Sequence, residues 1–197
     1  QDLLSFGEKN DAASARQNGV VLEGLPVNYG SHLCSIYETN LGRVKLSVPF
    51  LAEGLGHGDV CFLIAGPEAR ADILKTLGNT AQDVEGACKR GQLIVSEGAS
   101  TGEEMYDTLE AAFVAAIRDG NRGLRVVGDM GWFLDKGMNV DDLRWFEMRF
   151  DQYLAHAYPV VSLCQYDARR FSGVGLLTAL KTHQDTFELP LSRFLAS

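Results

Sequence analysis

The residues best placed to do chemistry lie in Ser31–Phe50, SHLCSIYETNLGRVKLSVPF. There an apolar run, His32–Tyr37, enters a polar turn, Glu38–Gly42, and then a helix-forming stretch, Arg43–Glu53. A nucleotide-binding P-loop would carry G-x-x-x-x-G-K-[ST] at such a junction, its amides cradling phosphate and its Lys and Ser/Thr reaching phosphate and magnesium. Here a single glycine survives, no Gly-Lys-Thr follows, and Glu38 sets negative charge where phosphate would sit. Nucleotide hydrolysis is therefore not expected; a reading that keeps ATP must let Arg43 or Lys45 replace the missing lysine. No nucleophile elbow, H-E-x-x-H, paired-carboxylate spacing or dinucleotide fingerprint is present, and Gly54-x-Gly56-x-Gly58 precedes a strand whereas a Rossmann turn follows one. The chain is expected to be no enzyme, with no cofactor and no assigned metal.

Other polar and aromatic residues suit binding better than catalysis. His32 and Cys34 differ by two, so a strand points both to one face. They either face a ligand or pack as core. Tyr37 ends that strand, where its ring can line a pocket and its hydroxyl can orient a ligand. Asp129 closes the run Leu124-Arg-Val-Val-Gly128 and can hydrogen-bond a ligand or cap a turn. Trp132, in a glycine-flanked turn, offers an apolar wall with one N–H donor at a pocket mouth, or else covers the sheet edge. Cys164, Tyr166 and Asp167 end the run VVSLCQYD, and Arg169-Arg170 follow. A local carboxylate–guanidinium pair is the simple account of that group; contact with an anionic ligand is the other. Glu147 reads as a solvated edge or as the partner of Arg144 or Arg149. His57, His156 and His183 have no partner spacing and are assigned no chemistry.

The elements that must position these residues alternate in type. Strands are expected at His32–Tyr37, Val60–Ala65, Gln92–Val95, Leu124–Val127 and Val160–Tyr166, the apolar runs that parallel sheets bury on both faces. Helices are expected at Arg43–Glu53, Glu68–Leu77 after Pro67, Glu103–Asp119 capped by Thr101, Leu143–His156 capped by Asp141 or Asp142, and Phe171–His183. Right-handed crossovers then give an α/β fold, a parallel sheet inside a three-layer α/β/α sandwich. Ligands in such folds sit beyond the carboxyl ends of the strands, here Tyr37–Gly42, Gly66–Arg70, Gly128–Trp132 and Gln165–Phe171. Residues 1–30 read as an amino-terminal tail or linker, with one short element at Leu22–Tyr29 broken by Gly24-Leu25-Pro26. Residues 31–185 form the domain and 186–197 a carboxyl-terminal tail.

Bulk properties narrow the classes. A chain of 197 residues with 46% apolar content can bury one good core. A formal charge of −8, with only short scattered basic pairs, argues against direct nucleic-acid binding. No apolar run approaches the roughly 20 residues that span a bilayer, and the polar start shows no secretory signal. Cys34, Cys61, Cys88 and Cys164 form no C-x-x-C, so the compartment reads as the reducing cytoplasm.

Four phrases in order resemble one family: His32-Leu-Cys34-x-x-Tyr37, Phe50-Leu-Ala-Glu-Gly54-Leu with Gly58-Asp59-Val, Leu124-Arg-Val-Val-Gly128-Asp129-Met130-x-Trp132, and Leu163-Cys164-Gln165-Tyr166-Asp167. The chain is identified as a member of the MEDS family, the methanogen/methylotroph DcmR-type sensory domains, over Ser31 to about His183. The resemblance implies a RecA/KaiC-like fold with a degenerate phosphate loop. It also implies a small, hydrocarbon-derived signal as ligand and an output protein or fused regulatory domain as partner, with transcription as the regulated process. In RecA-like order the strand of Cys164 lies beside that of Cys34, so a His32/Cys34/Cys164 set could bind a soft metal, present a reactive thiol, or pack as core. In the ATPase relatives a carboxylate at the position of Asp129 helps to hold magnesium. DcmR-like regulators carry a helix-turn-helix ahead of this domain, and residues 1–30 are too short and too poorly patterned to form one. Either the chain is a fragment or its output passes through a partner. The expected function is a non-enzymatic sensory domain, with Tyr37, Trp132 and Tyr166 as pocket walls and His32, Cys34 and Asp129 as polar contacts. The alternatives are an ATP-binding KaiC-like protein and a scaffold that forms a homodimer through Leu143–His156.

Overall fold

The structure, a computed structural model, describes residues 18–196. It opens with an antiparallel hairpin of β1 (Gly19–Leu22) and β2 (Leu25–Asn28). The connecting Glu23 and Gly24 have φ of 47° and 83°, the consecutive positive values of a tight hairpin turn. The break expected at Gly24-Leu25-Pro26 is therefore this turn. Val20, Leu22 and Val27 are buried against the sheet, so residues 19–28 pack into the fold rather than trailing from it. Residues 1–17 of the expected tail lie outside the described residues.

The chain continues as β3 (His32–Tyr37), α1 (Asn40–His57), β4 (Val60–Ile64), α2 (Pro67–Gly78), α3 (Val84–Lys89), β5 (Leu93–Ser96) and α4 (Gly102–Arg118). Then come β6 (Leu124–Asp129), α5 (Gly131–Asp135), α6 (Val140–Arg149), a π-helix (Phe150–Ala155), β7 (Val160–Asp167) and α7 (Gly173–Thr182). Two 3-10 turns (Gln184–Glu188 and Leu191–Arg193) lead to β8 (Leu195–Ala196). Strands β3 to β8 form one sheet in the order β5-β4-β6-β7-β3-β8, with every neighbouring pair parallel. The expected carboxyl-terminal tail thus supplies the last sheet strand, and Phe194 beside it is buried.

Every residue of β4, β6 and β7 is buried, as helices on both faces require. Cys34, Phe62, Val126 and Cys164 point to the face covered by α4 to α7, while Leu33, Cys61, Val127 and Leu163 point to the face covered by the hairpin and α1 to α3. This is the three-layer sandwich. Helix starts follow their caps. Thr39 accepts from the Gly42 amide at 3.0 Å, which starts α1 at Asn40, ahead of the expected Arg43. Thr101 caps α4 as anticipated. The cap of α6 is Asn139, not Asp141 or Asp142, because Asp142 Oδ2 accepts the Asn139 amide at 2.9 Å in a reciprocal capping box. The single helix expected over Leu143–His156 changes to π geometry at Phe150.

Candidate functional site

The candidate residues separate into two polar centres. At the carboxyl ends of the strands, a cleft of about 260 Å³ is lined by Arg43, Asp129, Asp135, Asp167, Arg169 and Arg170, among others. The Tyr37 hydroxyl donates to Asp129 Oδ2 at 2.6 Å, and the Gly131 amide donates to Oδ1 at 3.2 Å. Arg43 donates from Nε to the Tyr37 oxygen at 3.1 Å and from Nη1 to Asp72 at 2.9 Å. Arg169 grips Asp167 with Nε at 2.8 Å and Nη2 at 2.7 Å, and Arg170 reaches Asp135 at 2.7 Å. Burial pushes the Asp129 carboxyl up, against the pull of Tyr37 and Arg43. Burial also opposes the charge on Asp167, yet Arg169 outweighs it and holds the carboxyl below its ordinary range. Each guanidinium lining this cleft already faces a carboxylate. Lys45 is exposed on α1, and Thr39 occupies the amide end where a phosphate loop would begin.

The second centre lies on the α6/α7 face of the sheet and is fully enclosed. His32 on β3, Glu147 on α6, Cys164 on β7 and His183 at the end of α7 are all buried. His32 Nε2 stands 3.1 Å from Glu147 Oε2 and 3.4 Å from Cys164 Sγ. The Tyr166 hydroxyl donates to Glu147 Oε1. Asp151 Oδ1 approaches His32 Nδ1 to 3.4 Å, within ion-pair range but outside hydrogen-bond geometry. Burial disfavours charge on His32, but Asp151 and Glu147 outweigh it and raise the imidazole to about 9. Burial likewise opposes the Glu147 carboxylate, and the charged His32 imidazole and the Tyr166 hydroxyl hold it low. His183 is pushed down to about 4 by burial and by the neighbouring His32 charge. Burial drives the Cys34 and Cys164 thiols upward, so neither is a ready thiolate in this environment.

Above this centre, the π-helix and α6 form one wall of an open groove and α7 forms the other. The groove holds about 840 Å³, with Met148, Val174 and Leu177 giving apolar surface and Asp151, Lys181 and Asp185 giving polar contacts. Asp151 is shared: it lines the groove and touches buried His32. Within the π segment Phe150, Leu154 and Ala155 are buried while Asp151 lies on the groove side.

The structure places Tyr37, Asp129 and Asp167 together at the carboxyl-end cleft. His32, Cys34, Cys164 and Tyr166 lie together beneath the groove. The β3–β7 pairing sets Cys34 opposite Cys164, the adjacency expected from the resemblance. Trp132 joins neither centre. Its turn is the short helix α5, which turns the indole inward to pack on Phe133 and Phe146 rather than at a pocket mouth. Tyr37 is likewise buried, and its hydroxyl is taken up by Asp129. Glu147 is no solvated edge, and its partners are His32 and Tyr166 rather than Arg144 or Arg149. His183, assigned no chemistry from sequence, stands beside it with Nε2 at 3.5 Å from the carboxylate. The one signal available for Glu147 was its place amid Trp145, Phe146, Met148 and Phe150, where an apolar neighbourhood makes a carboxylate unusual.

A family profile described as "MEDS: MEthanogen/methylotroph, DcmR Sensory domain" matches residues 31–184. The chain is also similar to the transcriptional repressor DcmR of Methylorubrum extorquens, 45% identical over 193 residues, which are 97% of this chain and 73% of that protein. No helix among the described residues is long and apolar enough to cross a membrane.

Proposed function

The chain belongs to the MEDS family of sensory domains, and from that premise we propose that it binds a small organic signal in the groove between the π-helix and α7. The observation that carries the reading is Asp151, which lines the groove and contacts the buried His32–Glu147–Tyr166 network. A ligand touching both walls favours one spacing of α6 and α7, and only such differential binding can signal. Apolar Met148, Val174 and Leu177 suit a hydrocarbon-derived body, and Asp151, Lys181 and Asp185 suit one polar handle. The output is a fused or separate regulatory module acting on transcription, as the similarity to a transcriptional repressor supports. The charge of −8 makes these residues poor DNA ligands themselves.

ATP is the weaker reading, because Arg43 is bound to Tyr37 and Asp72 and the cleft presents no unpaired guanidinium. Saturation-transfer NMR on the full chain tests the proposal with short-chain alcohols, aldehydes, amines and haloalkanes, and with Mg–ATP for comparison. Transfer to one organic class, lost in Leu177→Trp where an indole fills the groove, is the expected result. Silence from every class, or transfer undiminished in Leu177→Trp, overturns the groove assignment. Mg–ATP binding that requires Lys45 revives the nucleotide reading.

A further inference from the structure

We propose that His32, Glu147, Cys164 and His183 form a closed, four-ligand site for a divalent ion of the zinc class. Their donor atoms all lie within 4.8 Å of one another. Glu147 Oε2 is 3.1 Å from His32 Nε2 and 3.5 Å from His183 Nε2, and Cys164 Sγ is 3.4 Å from His32 Nε2 and 3.8 Å from Glu147 Oε2. Metal–ligand bonds of about 2.0–2.3 Å give tetrahedral edges of roughly 3.3–3.8 Å, since an edge is about 1.63 bond lengths. These four separations cluster around that range; the His32 and His183 rings, with centroids 3.9 Å apart, would have to spread for an ion to sit centrally among the four donors.

A separate observation points the same way. His183 Nδ1 lies 2.6 Å from the Ala179 carbonyl, which can only accept, so the ring proton sits on Nδ1. His183 Nε2 is then a lone pair inside the cluster, and it is fully buried with no hydrogen-bond partner. The outer contacts match those that orient metal ligands. Asp151 stands behind His32 Nδ1, the Ala179 carbonyl behind His183, and the Tyr166 hydroxyl on the free oxygen of Glu147. A thiolate and a carboxylate neutralise a divalent cation, and two neutral imidazoles complete the set. The thiolate and imidazoles select zinc over magnesium or calcium.

Binding forms four metal–ligand bonds and releases the Cys164 thiol proton, together with the proton on His32 Nε2. With all four ligands buried, the site is structural rather than catalytic. It joins β3, α6, β7 and the end of α7, the elements that carry the groove walls. The site stands on its own geometry and does not depend on what the groove binds.

Chelator-stripped full chain titrated with Co2+ provides the test, because a thiolate ligand gives a charge-transfer absorption that carboxylate and imidazole alone do not. The expected result is a saturable band at one ion per chain, displaced by Zn2+. It should be absent in Cys164→Ser and kept in Cys34→Ser and Cys88→Ser. Tyr166→Phe should keep the band with affinity weakened by roughly 10- to 100-fold, since it removes only the outer contact to Glu147. No charge-transfer band in the wild-type protein overturns the proposal, whatever the variants do. A band that survives Cys164→Ser, or that Cys34→Ser abolishes, overturns this ligand set.

Discussion

Tyr166 shows how much one hydroxyl does in a sealed polar centre. It is fully buried, and it is the donor on Glu147 Oε1, the carboxylate oxygen turned away from the imidazoles. Tyr166→Phe leaves that oxygen with no donor in a place water does not reach. The expected loss is about 1–3 kcal/mol in urea unfolding of the chelated protein. A second residue gives a pH signature. Asp167 is buried, and despite that burial Arg169 depresses its carboxyl below the ordinary range. A depressed carboxylate contributes stability above its unfolded pKa and loses it as pH falls through the folded value. Wild type should therefore exceed Asp167→Asn by about 1 kcal/mol at neutral pH, a modest figure because Arg169 is half exposed. The gap should hold down to about pH 5 and close below roughly pH 4. A gap that widens in acid would contradict the pairing. Only part of these centres could be read in advance. His32 and Cys34 share a face because strand geometry demands it, and Tyr37 with Asp129 follow from the ends of apolar runs. Glu147 and His183 could not be recognised as partners, since no local spacing links them and only the docking of α6 and α7 on β3 and β7 brings them together.

Among the elements, the family phrase that carries no candidate ligand finds its explanation in one buried cation. Arg125 on β6 donates to Asp59 at 2.7 Å, to Glu53 at 3.2 Å and to the Phe50 carbonyl at 3.1 Å. Phe50-Leu-Ala-Glu-Gly54 and Gly58-Asp59 on one side, and Leu124-Arg on the other, are thus two halves of one contact between α1 and the sheet. Gly54 is required there, because a Cβ would stand 2.6 Å from Arg125 Cδ and 2.7 Å from Cys61 Sγ. Gly54→Ala should cost about 1–3 kcal/mol, the range of overpacked cores. Gly56→Ala, on the same helix with its nearest foreign atom at 3.4 Å, should be neutral or stabilise by up to about 1 kcal/mol. Urea titration of the two variants side by side checks both signs, and equal losses would remove the special role of Gly54. The strands were legible because parallel strands buried on both faces read as continuous apolar runs such as VCFLI and VVSLCQY. Helix α3 was not, since six residues including Gly86 bury only Ala87 and show no stripe. The π-helix escaped for another reason: Phe150 and Leu154 fit an α-helical stripe equally well, and one shifted hydrogen-bond register leaves no mark in residue type.

Across the whole molecule, the sheet divides the chemistry in two. The Arg125 contact lies on the α1–α3 face, the His32–Glu147 centre lies on the α4–α7 face, and the strand residues between them alternate strictly by side. Each strand of the sheet is hydrogen-bonded to its neighbours, so under the proposed function a ligand felt at Asp151 would have its exit along α6, the π-helix and α7 rather than through the sheet. That side also carries exposed apolar residues, Trp145, Met148, Tyr153, Val174 and Leu177. The partition has an energetic consequence. Gly54→Ala and Tyr166→Phe share no partner and sit on opposite faces, so their losses in urea unfolding should add within about 0.5 kcal/mol. Leu177→Trp and Tyr166→Phe have a route by which to couple, since Leu177 lines the groove together with Asp151, which touches His32, and His32 and Tyr166 both meet Glu147. The double-mutant cycle across the sheet is the sharper measurement because the insulated arrangement predicts its value as near zero. A cross-sheet coupling above about 1 kcal/mol would mean that the strands transmit strain from face to face. The output contact should then be sought on α1 to α3 as well as on α6 and α7.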